Sequence, residues 1–210
     1  MATAGQLVGV MARALNLPIA TVSSYYRVLR EAGLVTKGGR GRSAPQVSAR
    51  DVARLLITLM SADALSEGAA ACELIGETQA TVMLSDVLGD GRGQDVDTIS
   101  FEEAVIALLN GKAADQSVEM HRLPVSLFWV QPASFSVRVS ATSLSAEIVS
   151  DDIVLPFSLI TDAIVTDPED WESLTTRERL IARSVIARMD VTRTITQSEF
   201  RDVSLALVLD

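Results

Sequence analysis

Between positions 21 and 42 the chain places Thr21, Ser23, Ser24, Tyr25, Arg27 and Arg30 in a helical stretch, then Lys37, Arg40 and Arg42 in a run with three glycines. Guanidinium and ammonium groups neutralise phosphate, and small hydroxyls reach base edges, so the chemistry on offer is the holding of a polyanion. Arg27 has the planar, two-pronged donor that matches the acceptors of a guanine edge. Thr21, Ser23 and Ser24 join it as candidate base contacts. Tyr25 and Arg30 suit backbone phosphates, which fix register without carrying sequence information. In the following run Gly38, Gly39 and Gly41 permit a tight turn, with Lys37, Arg40 and Arg42 expected at its tip. A solvated turn with no partner is the competing explanation for that run.

Other chemistries find little support. Cys72 is the single cysteine and His121 the single histidine, which assembles neither a zinc site nor a cysteine–histidine nucleophile pair. The acid pairs Glu102-Glu103, Asp151-Asp152 and Glu169-Asp170 fall at helix starts or in turns, and adjacency in sequence does not make a converging pocket. Aligning Glu103 with the last ligand of a calcium loop would put Arg92 at the first ligand and Asp97 at the obligatory glycine, a register that cannot bind calcium. No P-loop, G-x-S-x-G or dinucleotide fingerprint occurs. No catalytic residue, metal or cofactor is therefore expected. A second cationic group, Arg177, Arg179, Arg183 and Arg188, lies near Asp167, Glu169, Asp170, Glu172 and Glu178 and is expected to form structural salt bridges.

The elements that must position the first group are legible from period and punctuation. Leu7, Val10, Met11, Ala14 and Leu15 give a helix over 5–15, which Asn16-Leu17-Pro18 breaks. Val22, Tyr26 and Leu29 form the inward stripe of a second helix from Ile19 to about Ala32, with Gly33 as its cap. "LVT" and "PQV" suggest two short strands flanking the glycine-rich tip. Ser48 opens a third helix to about Met60 with Val52, Leu55, Leu56 and Leu59 inward. Further on, Ser100 and Glu103 form a capping box for a helix over 100–112, with Gly111 ending it. From Leu123 the period shortens: "LPVSLFWV", "ASFSVRVSA", "LSAEIVS" and "IVLPFSLI" read as strands. Phe135, Val137 and Val139 should face inward, against Ser136, Arg138 and Ser140 outward. "TTRERLIARSVIARM" returns to helix, and the tail fits either a short helix or a strand.

Charge divides along the same line. Residues 1–60 hold eight cations against two acids, a net +6, whereas residues 61–210 hold ten cations against twenty-five acids, a net −15. The expected organisation is thus an N-terminal, mostly α unit (1–60) that meets a polyanion, followed by an acidic α+β unit with an antiparallel sheet (61–210) that dimerises or receives a signal. The latter is expected to be helical over 61–115, sheet-rich over 120–165 and helical over 170–190. Hydrophobic residues make up 48% of the 210, ample for a packed core. No apolar run approaches membrane-spanning length, and Arg13 interrupts the only apolar stretch near the N-terminus, so a cytoplasmic protein without a signal peptide is expected.

The order helix, break, Thr-Val, helix, Ala-Gly-Leu-Val, basic glycine loop resembles winged helix-turn-helix regulators, whose recognition segments commonly read T-V-s-R-x-l-r-x-L-x-x-x-G-L. Thr21 to Leu34 fill that spacing, with Ser24 where those regulators commonly carry arginine. The ordering that ends in "VSARDVARL" is also similar to MerR-type regulators, and the "TKGGRGRSA" tip looks like small regulators of phage or mobile-element origin. The resemblance covers about residues 5–60. It implies a non-catalytic, sequence-specific binder of double-stranded DNA, acting in transcription as a homodimer without a membrane. The alternatives are a phage-type DNA-packaging protein (small terminase-like) or architectural DNA-binding protein, and an enzyme whose site lies in 61–210.

Overall fold

Stripes of apolar side chains need a shared surface, and here one helix is buried nearly all round. In the computed structural model, which describes residues 3–37, 46–80, 100–113, 135–150, 153–159, 174–186 and 191–204, that helix is α3 (Ala49–Ser61). Ten of its thirteen residues are buried, far more than the single inward stripe expected. The preceding helices are α1 (Ala4–Ala14) and α2 (Ile19–Glu31). A 3-10 turn at Leu65–Glu67 leads into α4 (Gly68–Gly76), and α5 spans Phe101–Ala113. Two more helices, α6 (Thr176–Ile186) and α7 (Gln197–Ser204), complete the helical set among the described residues.

Five strands form one antiparallel sheet: β1 (Gln79–Ala80), β2 (Phe135–Ser140), β3 (Ser145–Ser150), β4 (Ile153–Ser158) and β5 (Thr192–Thr196), in the order β1-β4-β3-β2-β5. The fold is therefore α+β with an antiparallel sheet. Pairing places Val137 opposite both Ile148 and Ile195, and Ile148 opposite Leu155, so these four form one apolar row on the inner face. Phe157 meets Phe101 of α5 edge-on at 5.2 Å between ring centres, and Phe135 meets Phe200 of α7 at 5.4 Å, which fixes helices to the sheet. The strand expected at "LPVSLFWV" falls outside the described residues.

Three local expectations are corrected. Ser140 is buried rather than exposed, its hydroxyl accepting the Ser143 N–H at 3.0 Å in the tight turn to β3. Helix α5 starts on the expected Ser100–Glu103 box but passes Gly111 to Ala113; a glycine weakens a helix without ending it when Phe101, Ala104, Val105, Leu108 and Leu109 already hold it in the core. The described part of the tail, 191–204, holds both strand and helix: β5 joins the sheet beside β2, and Thr196 then donates its N–H and hydroxyl to Glu199 at 2.7 and 2.8 Å to start α7.

Helix α3 packs against α2, α4, α5, β2 and β5, and α1 packs against α7. One cluster of buried side chains runs from Leu7 to Val203, so residues on both sides of position 60 share a core. Among the described residues, no helix is long and apolar enough to cross a membrane.

Candidate nucleic-acid interface

Helix α2 is presented by the turn before it and the cap after it. Asn16 adopts a left-handed conformation (φ 50°) after α1, the Leu17 N–H closes on the Ala12 carbonyl at 2.9 Å, and Pro18 opens α2 by accepting the Thr21 and Val22 N–H groups. At the far end Gly33 has φ 79°, its N–H bonds to Arg30 O, and the Leu34 N–H bonds to Leu29 O at 2.9 Å. A side chain at that φ is strained, so Gly33→Ala is expected to destabilise the protein by about 1–2 kcal/mol, read as a shift of the urea midpoint with an unchanged slope.

The inward stripe is as expected, with Val22, Tyr26 and Leu29 buried. Thr21, Ser23, Arg27 and Arg30 are exposed, and Ser24 is half-buried. Arg27 lies 3.8 Å from Glu31, one turn on, with both side chains more than half exposed. Tyr25 is set apart from them. It sits about 200° round the helix from Arg27, half-buried, with its ring against the start of α4: a Cβ added to Gly68 would come within 3.1 Å of it. Burial pushes its phenol pKa up, with lesser influences from Arg193, Asp63 and Glu67. Much of the Tyr25 ring is therefore spent on packing.

Lys37 is exposed, its Nζ 4.0 Å from where a Gly33 Cβ would sit, beside the carbonyl end of α2. Arg40 and Arg42, with the three glycines, lie outside the described residues. Among the described residues no strand is present at 34–36 or at 46–47, and Pro45 lies outside them; Val35 and Val47 are buried, and the Thr36 and Ser48 N–H groups are satisfied by a side chain. The Asp51 carboxylate accepts from the Thr36 N–H at 2.8 Å and hydroxyl at 2.9 Å, and from the Ser48 N–H and hydroxyl, each at 2.8 Å. Burial alone would raise the Asp51 pKa, yet the hydrogen bonds from Ser48 and Thr36 outweigh it and hold the carboxyl below its ordinary range. With the folded pKa depressed, the stabilisation is fully present above the unfolded value of about 3.9 and is lost as pH falls through the folded value. Wild type should therefore exceed Asp51→Asn in stability at neutral pH, and the gap should close on acidification, as measured by urea titrations across that range.

Two cations counted with the N-terminal surplus are engaged by the acidic half. Arg50 and Arg54 both pair with Glu102 of α5, at 3.1 and 3.0 Å, and Arg54 also donates to the Leu34 carbonyl at 2.7 Å. The basic surface is thus narrower than the charge surplus over 1–60 suggests. These side chains line a cleft of ≈ 320 Å³ with Cys72, Gly76, Glu73 and Glu77. Burial pushes the Cys72 thiol up to about 12, so it is protonated and unreactive at neutral pH. Two of the second arginine group form salt bridges, with acids distant in sequence rather than those expected: Arg177 with Glu77 at 2.6 Å, and Arg183 with Glu67 at 3.2 Å. Asp63 joins Arg183 to Arg193, at 3.7 and 2.6 Å. Arg188 and His121 lie outside the described residues.

Comparison with known proteins finds no family, no curated protein and no solved structure that matches this chain. Among the described residues, no group of three or more histidine, cysteine or acidic side chains could hold a metal ion. Sequence reasoning alone misses Asp51, which looks like an ordinary helix-start residue. The three-residue spacing from Ser48 is the signal that marks it, since a Ser-x-x-acid pattern builds a capping box.

Proposed function

We propose that this protein is a non-catalytic, sequence-specific DNA-binding transcriptional regulator, with α1 and α2 as a helix-turn-helix and the segment after Lys37 as its basic wing. The observation that carries the reading is α2 itself. It is joined to α1 by a four-residue turn, anchored through Val22, Tyr26 and Leu29, and exposes Thr21, Ser23, Arg27 and Arg30. Thr21, Ser23, Ser24 and Arg27 would read bases; Arg30, Lys37, Arg40 and Arg42 would contact phosphates, with Tyr25 limited to the part of its side chain that packing leaves free. Dimerisation follows from the way such readers gain affinity by spanning two half-sites. A catalytic role for the Cys72 cleft has less support, because its thiol is protonated and its arginines are already paired.

Selection of bound sequences from a random DNA pool with the full chain tests the reading. An enriched motif, bound with a steep loss of affinity as salt rises, is expected; no enrichment over random DNA, or binding indifferent to salt, would remove it. Native mass on the same sample separates a dimer from the many-subunit ring that a packaging protein would form.

A further inference from the structure

We propose that Tyr25 is a positioning residue for DNA binding: its ring, seated on Gly68 at the start of α4, sets the roll of α2 and hence where Thr21, Ser23 and Arg27 point. This deepens the DNA-binding reading above and rests on it. Val22, Tyr26 and Leu29 hold α2 to the core along one stripe, which resists rolling about the helix axis only weakly. At 3.6 residues per turn Tyr25 stands roughly 65° from the middle of that stripe, so its contact has leverage against the roll.

The seat is close-fitting. A Cβ added to Gly68 would lie 3.1 Å from Tyr25 Cδ1, 3.4 Å from its Cε1 and 3.3 Å from Thr58 Cγ2 of α3. Gly68 has ordinary helical angles (φ −52°, ψ −43°), so the glycine supplies room here and not backbone freedom. The acidic half braces the same place. Just before Gly68, Asp63 pairs with Arg193 of β5 at 2.6 Å and with Arg183 of α6 at 3.7 Å. Arg183 also pairs with Glu67 at 3.2 Å, and Arg193 donates to the Met60 carbonyl at 2.9 Å. Arg193, Asp63 and Glu67 are the charged groups that act on the Tyr25 phenol. Residues 60–68 are thus pinned to a strand and a helix, and α2 takes its roll from a braced base. A push of a few tenths of an ångström at Tyr25 swings the longer Arg27 side chain by about half an ångström, the tolerance of a binding constellation.

The test uses the full chain: wild type, Tyr25→Phe, Tyr25→Ala, Gly68→Ala and the double variant Tyr25→Ala with Gly68→Ala. Affinity is measured on selected and random duplexes at one salt concentration, and hydrogen exchange of the 19–31 backbone is followed without DNA. Tyr25→Phe keeps the seat and should bind within about twofold of wild type. Tyr25→Ala and Gly68→Ala should each weaken binding to the selected site about tenfold and to random DNA by much less, with unchanged circular dichroism. The double variant should bind no more weakly than Tyr25→Ala alone, because the added Cβ then meets no ring. Exchange over 19–31 should quicken in Tyr25→Ala. If Gly68→Ala does not fold, the contrast between phenylalanine and alanine at position 25 carries the test. A loss in Tyr25→Phe as large as in Tyr25→Ala would make the hydroxyl a phosphate contact and overturn the proposal. Equal losses on both duplexes, or a wild type that binds while the folded variants match it, would sink this proposal alone. If wild type binds no DNA, the functional reading fails and the positioning role with it, whereas quicker exchange in Tyr25→Ala still establishes the seat.

Discussion

Replacing Lys37, Arg40 and Arg42 together by alanine is expected to weaken binding to every duplex alike and to flatten the dependence of log affinity on log salt by up to about 2.7 units, near 0.9 for each phosphate no longer neutralised. Over a fourfold rise in salt, wild type should therefore lose about 40-fold more affinity than the variant. The formal net charge of −9 does not argue against this. Ionic screening over roughly 8–10 Å means that a bound duplex responds to the charges beside it and little to acids on the far side of the molecule. Within that local field Arg50 and Arg54 contribute less than their number suggests, since Glu102 holds both, and the basic segment must supply most of the phosphate neutralisation together with Arg30. The fold should survive the triple change: Lys37 is exposed and stands outside the buried core. The measurement is a set of fluorescence-anisotropy titrations at several salt concentrations on selected and random duplexes. An unchanged slope would make the glycine-rich run a solvated turn and leave α2 as the sole carrier of the proposed function.

What is legible in the sequence is local. The stripe Val22-Tyr26-Leu29, the left-handed Gly33, the Ser48 and Ser100 helix starts and the alternation of Phe135, Val137 and Val139 each depend on neighbours within a few positions, where helical or pleated geometry dictates which side chains meet. What is not legible joins distant positions. Thr36 reaches Asp51 across 15 residues, Arg54 reaches Glu102 across 48, and Arg193 reaches Asp63 across 130. No periodicity encodes such pairs, and each changes how a nearby feature is understood. The Asp51 carboxylate takes the Thr36 and Ser48 N–H groups, at and beside the positions where strands are expected. The Glu102 pairs offset two cations of the expected basic surface, Arg54 more firmly than Arg50, which stays 63% exposed. The candidate site is thus readable in residue type along α2 and hidden where tertiary packing decides between display and burial, as at Tyr25, whose ring Gly68 admits. The near-complete burial of α3 has the same origin: a single-helix pattern shows its most apolar face, not how many elements surround it.

Arg27→Ala is expected to lower affinity for the selected DNA site by roughly 1–3 kcal/mol and for random DNA by much less. Arg27 is exposed two turns into α2, on the side away from Val22 and Leu29, and stands outside the core. Its ionic partner is Glu31 at 3.8 Å, and an exposed pair one helical turn apart is worth only about 0.3–0.5 kcal/mol, so the guanidinium can leave it for a guanine edge that offers two acceptors in a plane. Glu31 has a second consequence. A carboxylate on the reading face repels phosphate, so Glu31→Ala should raise affinity for random and selected DNA together, a change opposite in sign and in selectivity to that of Arg27→Ala. Paired titrations of both variants at one fixed salt concentration, with circular dichroism to confirm the fold, separate these roles. Equal losses on both duplexes for Arg27→Ala would make it a phosphate contact and leave base reading to Thr21, Ser23 and Ser24. No loss on either would mean that α2 does not enter the groove, and the proposed function would have to be abandoned at the helix on which it rests.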